Sequence, residues 1–115
     1  MIKKNNEQKI EVRNNMRGGS GEVKIKHHLV KEDFGAKCRL CAELTIGPGS
    51  GIGLHEHAGE DEIFIIQKGK GVVVDGNKET PVEEGDVILT GKGASHSITN
   101  TGNNDLVVTA IIIQY

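Results

Sequence analysis

The sequence has no tryptophan, one tyrosine and two phenylalanines among its 115 residues. So few aromatic rings leave no platform for stacking nucleic-acid bases and little of the surface an oligosaccharide packs against. An excess of charge is lacking as well. Fourteen Lys and Arg stand against 16 Asp and Glu, a net charge of -2, whereas domains that bind nucleic acid by neutralising phosphates are clearly basic. No apolar run approaches the roughly 18 residues of a membrane-spanning helix, and the opening MIKKNNEQK leads into no signal-peptide core. A soluble protein in the cytoplasm is the expectation. Cysteine is limited to two, Cys38 and Cys41, in a C-x-x-C within AKCRLCAELTI. That segment alternates like a strand, which sends the two thiols to opposite faces and argues against a shared zinc ion or a mutual disulfide.

Proline is also scarce, at two, while glycine is abundant, at 16. Helical periodicity is absent throughout. Short runs rich in β-branched residues are separated by IGPGSG, QKGKG, DGN, EEGD, TGKG and NTGNN, turns that supply positive φ or break a strand. The chain reads as an all-β barrel or jelly roll. Strands are expected in EVKIKHHLV, which begins at Glu22, and over residues 36–46, 50–57, 61–67, 71–75, 86–90, 95–99 and 105–113. Residues 1–21 read as a polar arm and Gly-rich loop, followed by one barrel domain over 22–115. The run RGGSG, Arg17 to Gly21, opens a strand and not a helix, so it is no phosphate cradle. His27 and His28 are adjacent on that strand and read as ordinary strand residues.

Several strands are apolar on both faces, among them Ile63 to Ile66, Val72 to Val74 and the C-terminal Leu106 to Ile113. A strand that faces water on one side alternates. In so small a domain a second apolar face points to a partner subunit, and a homodimer is expected.

Chemistry concentrates in GLHEHAGEDEIF, Gly53 to Phe64. His55 and His57 are two apart, so on a strand both imidazoles leave the same face and can approach one ion. His96, in GKGASHSITN, offers a third nitrogen. Imidazoles with a carboxylate form a mixed shell suited to divalent Mn, Fe, Co, Ni, Cu or Zn. Four carboxylates lie nearby: Glu56, Glu60, Asp61 and Glu62.

Gly49 to Gly69 resembles the first motif of the cupins: glycine, five residues, His-x-His, four residues, Glu, six residues, glycine. Gly85 to Asn100 resembles the second: glycine, five residues, a Pro-x-Gly turn, two residues, His, three residues, Asn, with Gly91 in place of the proline. The two motifs, with the compact spacer Lys70 to Glu84 between them, span nearly half the chain. The resemblance implies a single double-stranded β-helix barrel of the small monocupin type, with His55, His57, Glu62 and His96 as metal ligands. Glycine at position 91 leaves φ freer than proline and is expected to loosen the placement of His96. Glu56 falls on the far side of the strand from the histidines, while Glu60 and Asp61 fall in the turn, and all three are expected to face solvent, with orientation of a histidine by one of them as the alternative.

With Glu62 inward, alternation also turns Phe64 and Ile66 inward. Leu40, Leu44, Ile46 and Ile98 are expected beside them, giving a largely aliphatic pocket with a polar metal end. Such a pocket suits small organic acids, diketones or short carbonyl compounds. A phosphosugar would need a cation at the mouth. Arg39 and Lys92 are near in sequence but read as solvated surface charge, and Tyr115 reads as a general acid or a cap on a dimer surface. Three classes stay open: a metal-dependent enzyme of dioxygenase or isomerase/lyase type, a non-catalytic module that binds or senses a small molecule or metal, and a structural or storage protein.

Overall fold

The computed structural model describes every residue, Met1–Tyr115. Its strands are β1 (Lys9–Asn14), β2 (Glu22–Leu29), β3 (Cys38–Ile46), β4 (Gly51–Glu56), β5 (Glu60–Lys68), β6 (Lys70–Asp75), β7 (Lys78–Glu83), β8 (Val87–Thr90), β9 (Ser95–Asn100) and β10 (Leu106–Gln114). They form a six-stranded sheet in the order β1-β2-β3-β10-β5-β8 and a four-stranded sheet in the order β4-β9-β6-β7. Every pairing is antiparallel. Inward residues of both sheets meet in one core that includes Leu44, Ile46, Phe64, Ile66, Ile98 and Val108. Period-two alternation produces this directly: Leu106, Val108, Ala110 and Ile112 are buried while the residues between them are more exposed.

Two strands escape the expectation from sequence. β1 lies within the stretch read as an arm and pairs with β2 from Lys9↔His27 to Asn14↔Glu22. Its alternation is inverted, because Ile10 and Val12 are exposed while Glu11 and Arg13 line an internal cavity. β7 contains Pro81, which a strand tolerates at a sheet edge, and β7 is the edge beside β6.

β3 carries an irregularity that alternation alone hides. Its pairing with β10 runs Ile111↔Cys41, Ile112↔Leu40 and then Ile113↔Cys38, so Arg39 is the extra residue of a bulge. Cys41 and Cys38 therefore stand opposite two residues of the same face of β10, and the expectation that the thiols point to opposite faces is corrected. Cys38 is buried, Cys41 is half-buried, and both are free thiols. Burial, with the Cys38 thiol nearby, pushes the Cys41 pKa up.

Candidate metal centre

β4 brings His55 to the site, and His57 follows at its end. The next strand, β5, contributes Glu62, and His96 comes from β9, directly opposite His55 in the β4–β9 pairing. The ligand-type atoms of these four residues lie within 4.8 Å of one another. His57 Nε2 and His96 Nε2 are 3.0 Å apart, and His96 Nε2 and His55 Nε2 are 3.1 Å apart. Glu62 Oε1 is 2.9 Å from both His57 Nε2 and His96 Nε2, and 3.8 Å from His55 Nε2.

The other ring nitrogen of each histidine is already committed. His55 Nδ1 donates to the Gly53 carbonyl at 2.7 Å, and a carbonyl can only accept. His57 Nδ1 donates to Glu60 Oε1 at 2.8 Å. His96 Nδ1 pairs with Thr90 Oγ1 at 2.8 Å. With the protons of His55 and His57 held on Nδ1, and that of His96 there when the Thr90 hydroxyl accepts, the three Nε2 lone pairs converge with a carboxylate oxygen on one point. Such a donor set repels itself unless a cation lies among it, and orientation of histidines through their far nitrogen is how metal sites are held. The spacing also fits: donors on adjacent corners about 2.1 Å from an ion are about 3 Å apart. Phe64 stacks on the His96 ring, with centroids 4.8 Å apart and planes 9° off parallel, and so fixes its tilt.

Glu62 is buried, and burial alone would raise its pKa. In the metal-free chain, protons on the Nε2 atoms of His55 and His96 donate to it, and with the charge of the histidines they outweigh burial and hold it at about 2; a bound metal would take the place of those protons. The carboxylate is thus ionised, as a ligand must be.

Two expectations are corrected here. Glu60 does not face solvent. β5 starts at Glu60, so alternation puts Glu60 and Glu62 on the same inward side, and Glu60 is only 8% exposed. Arg39 is not solvated surface charge either. Its Nε and Nη2 donate to Glu60 Oε2 and Oε1, each at 2.7 Å. This guanidinium, assisted by His57, holds the Glu60 carboxyl at about 2 despite partial burial. The signal for Glu60 was its two-residue separation from Glu62. No sequence pattern announced Arg39, because a bulge reverses its side.

Glu56 is exposed, as expected. Asp61 is half-buried, and its Oδ1 accepts from the Tyr115 hydroxyl, which in turn accepts from Lys92 N, both at 3.2 Å. These bonds answer the question raised by Gly91. A Cβ there would fall 1.8 Å from Asp61 Oδ1, so Asp61 occupies the space a larger residue would need. The turn is also stitched to the first motif by His57 N→Ala94 O and Gly93 N→His57 O, both 2.9 Å, so it is fastened by hydrogen bonds where proline is missing.

A cavity of about 60 Å³ opens beside His55, His57 and Glu62. Leu40, Leu44, Ile52 and Ile112 form its apolar side, but Glu11, Arg13, Arg17, His27 and Arg39 also line it. It is therefore less aliphatic than expected, since Phe64, Ile66 and Ile98 are packed into the core instead. Arg13 and Arg17 arrive through β1 and the short 3-10 turn Met16–Gly18. That turn sits on β4 at backbone distance: a Cβ on Gly53 would fall 2.1 Å from the Arg17 carbonyl oxygen. A larger recess of about 430 Å³, between Lys70, Glu83 and Asn104, has no hydrophobic lining and shares no residue with the four-donor cluster.

Residues 42–112 match the Cupin domain family. The chain is 52% identical over 99 residues to an oxalate-binding protein of Thermotoga maritima, covering 86% of this chain and 82% of the relative. It also resembles a crystal structure of a predicted oxalate decarboxylase from Thermotoga maritima, at 48% identity with a TM-score of 0.94 and all of both chains covered. The cupin domain of Schizosaccharomyces pombe Cnp3 shares the fold at 12% identity, with a TM-score of 0.74 over 91% of this chain and 69% of that one. With the two-sheet jelly roll and its three histidines and a glutamate already placed, these matches make the chain a small single-domain member of the cupin family.

Proposed function

We propose that His55, His57, Glu62 and His96 hold a divalent transition metal, and that the metal and its adjoining cavity bind a small dicarboxylate of oxalate's size. The observation that carries the metal is the commitment of all three Nδ1 atoms, which leaves three Nε2 atoms and an ionised carboxylate facing one point. Four protein donors leave positions for a ligand on a six-coordinate ion, and the metal would supply Lewis-acid charge for a bound carboxylate. The chain's own residues do the rest. Glu60, Thr90 and the Gly53 carbonyl orient the histidines, Leu40 and Ile112 limit water, and Arg13, Arg17 and Arg39 give the cavity positive charge.

Cavity size narrows the ligand. About 60 Å³, where one water needs about 10–15 Å³, is room for a ligand of a few heavy atoms. The names of the Thermotoga relatives, an oxalate-binding protein and a predicted oxalate decarboxylase, agree with a short dicarboxylate. Among the enzyme classes read from the sequence, a lyase that cleaves a carbon–carbon bond of the bound acid fits best. Binding without turnover is the second reading, favoured by the name of the oxalate-binding relative. Calorimetry with oxalate on metal-loaded and chelator-stripped protein tests the binding, with saturable heat expected only for the loaded form. Equal affinity in both forms would sink the proposal. Release of formate and carbon dioxide from oxalate separates the lyase from the binder.

A homodimer and a cytoplasmic location belong to the same reading. The dimer is supported by the outward side of β5, β8 and β10, where Leu89, Ile63 and Ile111 lie in one row across the sheet. Val87 and Leu89 are each more than 60% exposed there.

A further inference from the structure

We propose that Arg39 is the specificity-determining residue for the second anionic group of the ligand, and that Glu60 is the positioning residue that ties it to the metal centre. This rests on the dicarboxylate reading above. A guanidinium is planar, with donors in a fixed fork, so holding one edge determines where the other points. The Nε–Nη2 edge of Arg39 is held by both oxygens of Glu60 at 2.7 Å. Nη1 makes no hydrogen bond within the chain, while Arg39 lines the cavity together with His55, His57 and Glu62.

Glu60 Oε1 is shared between Arg39 Nη2 and His57 Nδ1. One buried carboxylate thus sets the direction of a cavity cation and of a candidate metal ligand. The bulge at Arg39 makes this possible, since regular alternation would aim the side chain outward. The other two cavity arginines lack such an anchor. Arg13 meets only Glu11, at 3.3 Å, with a side chain half exposed, and Arg17 sits on the 3-10 turn with φ 54°.

Charge makes the metal a help to anion binding. Arg13, Arg17 and Arg39 balance Glu11, Glu60 and Glu62 around the cavity, and a divalent cation turns that balance net positive. An anion is therefore received better once the metal is in place. A dicarboxylate with one end on the metal presents its far carboxylate to the free edge of Arg39, whereas a monocarboxylate has nothing to place there. A site built around a hydrogen-bond donor discriminates against the ligand lacking the matching group.

The test compares oxalate and formate binding by calorimetry in metal-loaded wild type, Arg39→Lys, Arg39→Gln and Glu60→Gln, with metal content and thermal melting measured on each. The lysine variant keeps the charge and removes the fork. It is expected to retain its metal, weaken oxalate by 10-fold or more and change formate by less than about 2-fold, because the fork serves only the far carboxylate. Glu60→Gln is expected to lose oxalate selectivity and also to weaken metal affinity by about 10- to 100-fold, the range for partners that orient ligating histidines. A merely structural role would move oxalate and formate together. Wild-type oxalate affinity in Arg39→Lys, or an equal loss for both anions, overturns the anchor alone. Wild type that binds metal but not oxalate overturns the dicarboxylate reading and the anchor with it. Should Arg39→Gln fail to fold, the lysine variant decides.

Discussion

Glu60 and Glu62 sit two residues apart on one face of β5, yet their neighbours give them different work. Glu62 meets the Nε2 atoms of His57 and His96, while Glu60 meets a ring nitrogen on the far side of His57 together with a guanidinium. Both carboxyls are held at about 2, below the ordinary 4.5. For a carboxyl whose folded pKa is depressed, the stabilisation is fully present above the unfolded pKa and is lost as pH falls through the folded value. Metal-free protein should therefore keep its stability down to about pH 4.5 and lose it progressively towards pH 2, as followed by thermal melting. In Glu60→Gln part of that acid-dependent loss should be missing, and an unchanged pH profile would contradict the role given to Glu60. Phe64 carries a packing prediction at the same scale. It is 1% exposed and stacked on His96, so Phe64→Ala should cost about 3–5 kcal/mol by denaturant unfolding. The histidine pair was legible because two-residue spacing on a strand is a physical constraint, whereas Glu62 and His96 were marked out by their places in the two motifs that resemble those of the cupins. Glu60 and Arg39 were not, since one depends on where a strand begins and the other on a single extra residue in its register.

At the scale of the elements, the N-terminal segment forms part of the cavity beside the four-donor cluster. β1 turns Glu11 and Arg13 towards the cavity, and the Glu11 carboxyl is held below its usual range by His27, 2.6 Å away on β2. Hydrophobic alternation could not identify β1 as a strand over the core, because its apolar side faces outward. β7 was hidden by Pro81, which reads as a strand breaker until the edge position is known. The 3-10 turn that follows β1 is set on β4 through glycines on both partners: a Cβ on Gly19 would fall 2.3 Å from the Gly51 carbonyl oxygen. A Cβ at Gly53 meets backbone that a rotamer change cannot relieve. Gly53→Ala should therefore destabilise the fold by about 1–3 kcal/mol and displace the turn that carries Arg17. Proteolysis within residues 15–21 should become faster than in wild type, and an unchanged cleavage rate would show that the turn is not seated as described.

The whole molecule presents two kinds of surface. Inside, the jelly roll joins a solid apolar core to a small charged cavity at the candidate metal centre. Outside, β8 and β5 leave Val87, Leu89, Ile63 and Ile65 side by side on one sheet face. The sequence showed this face as runs that fail to alternate, but such runs do not say what covers them. Light scattering at micromolar concentration should give the mass of two chains, and Val87→Lys with Leu89→Lys should return the mass of one. A single-chain mass for wild type would remove the dimer from the account.

The claim on which the rest depends is that His55, His57, Glu62 and His96 form a metal site. Metal content per chain, measured on protein purified without a histidine tag, addresses it most directly when wild type is compared with the His55→Ala, His57→Ala double variant. The account predicts close to one divalent ion per chain in the wild type, after dialysis against an excess of metal and removal of the unbound ion. It predicts almost none in the double variant, provided that circular dichroism shows the variant still folded. Equal metal content in the two proteins would contradict it.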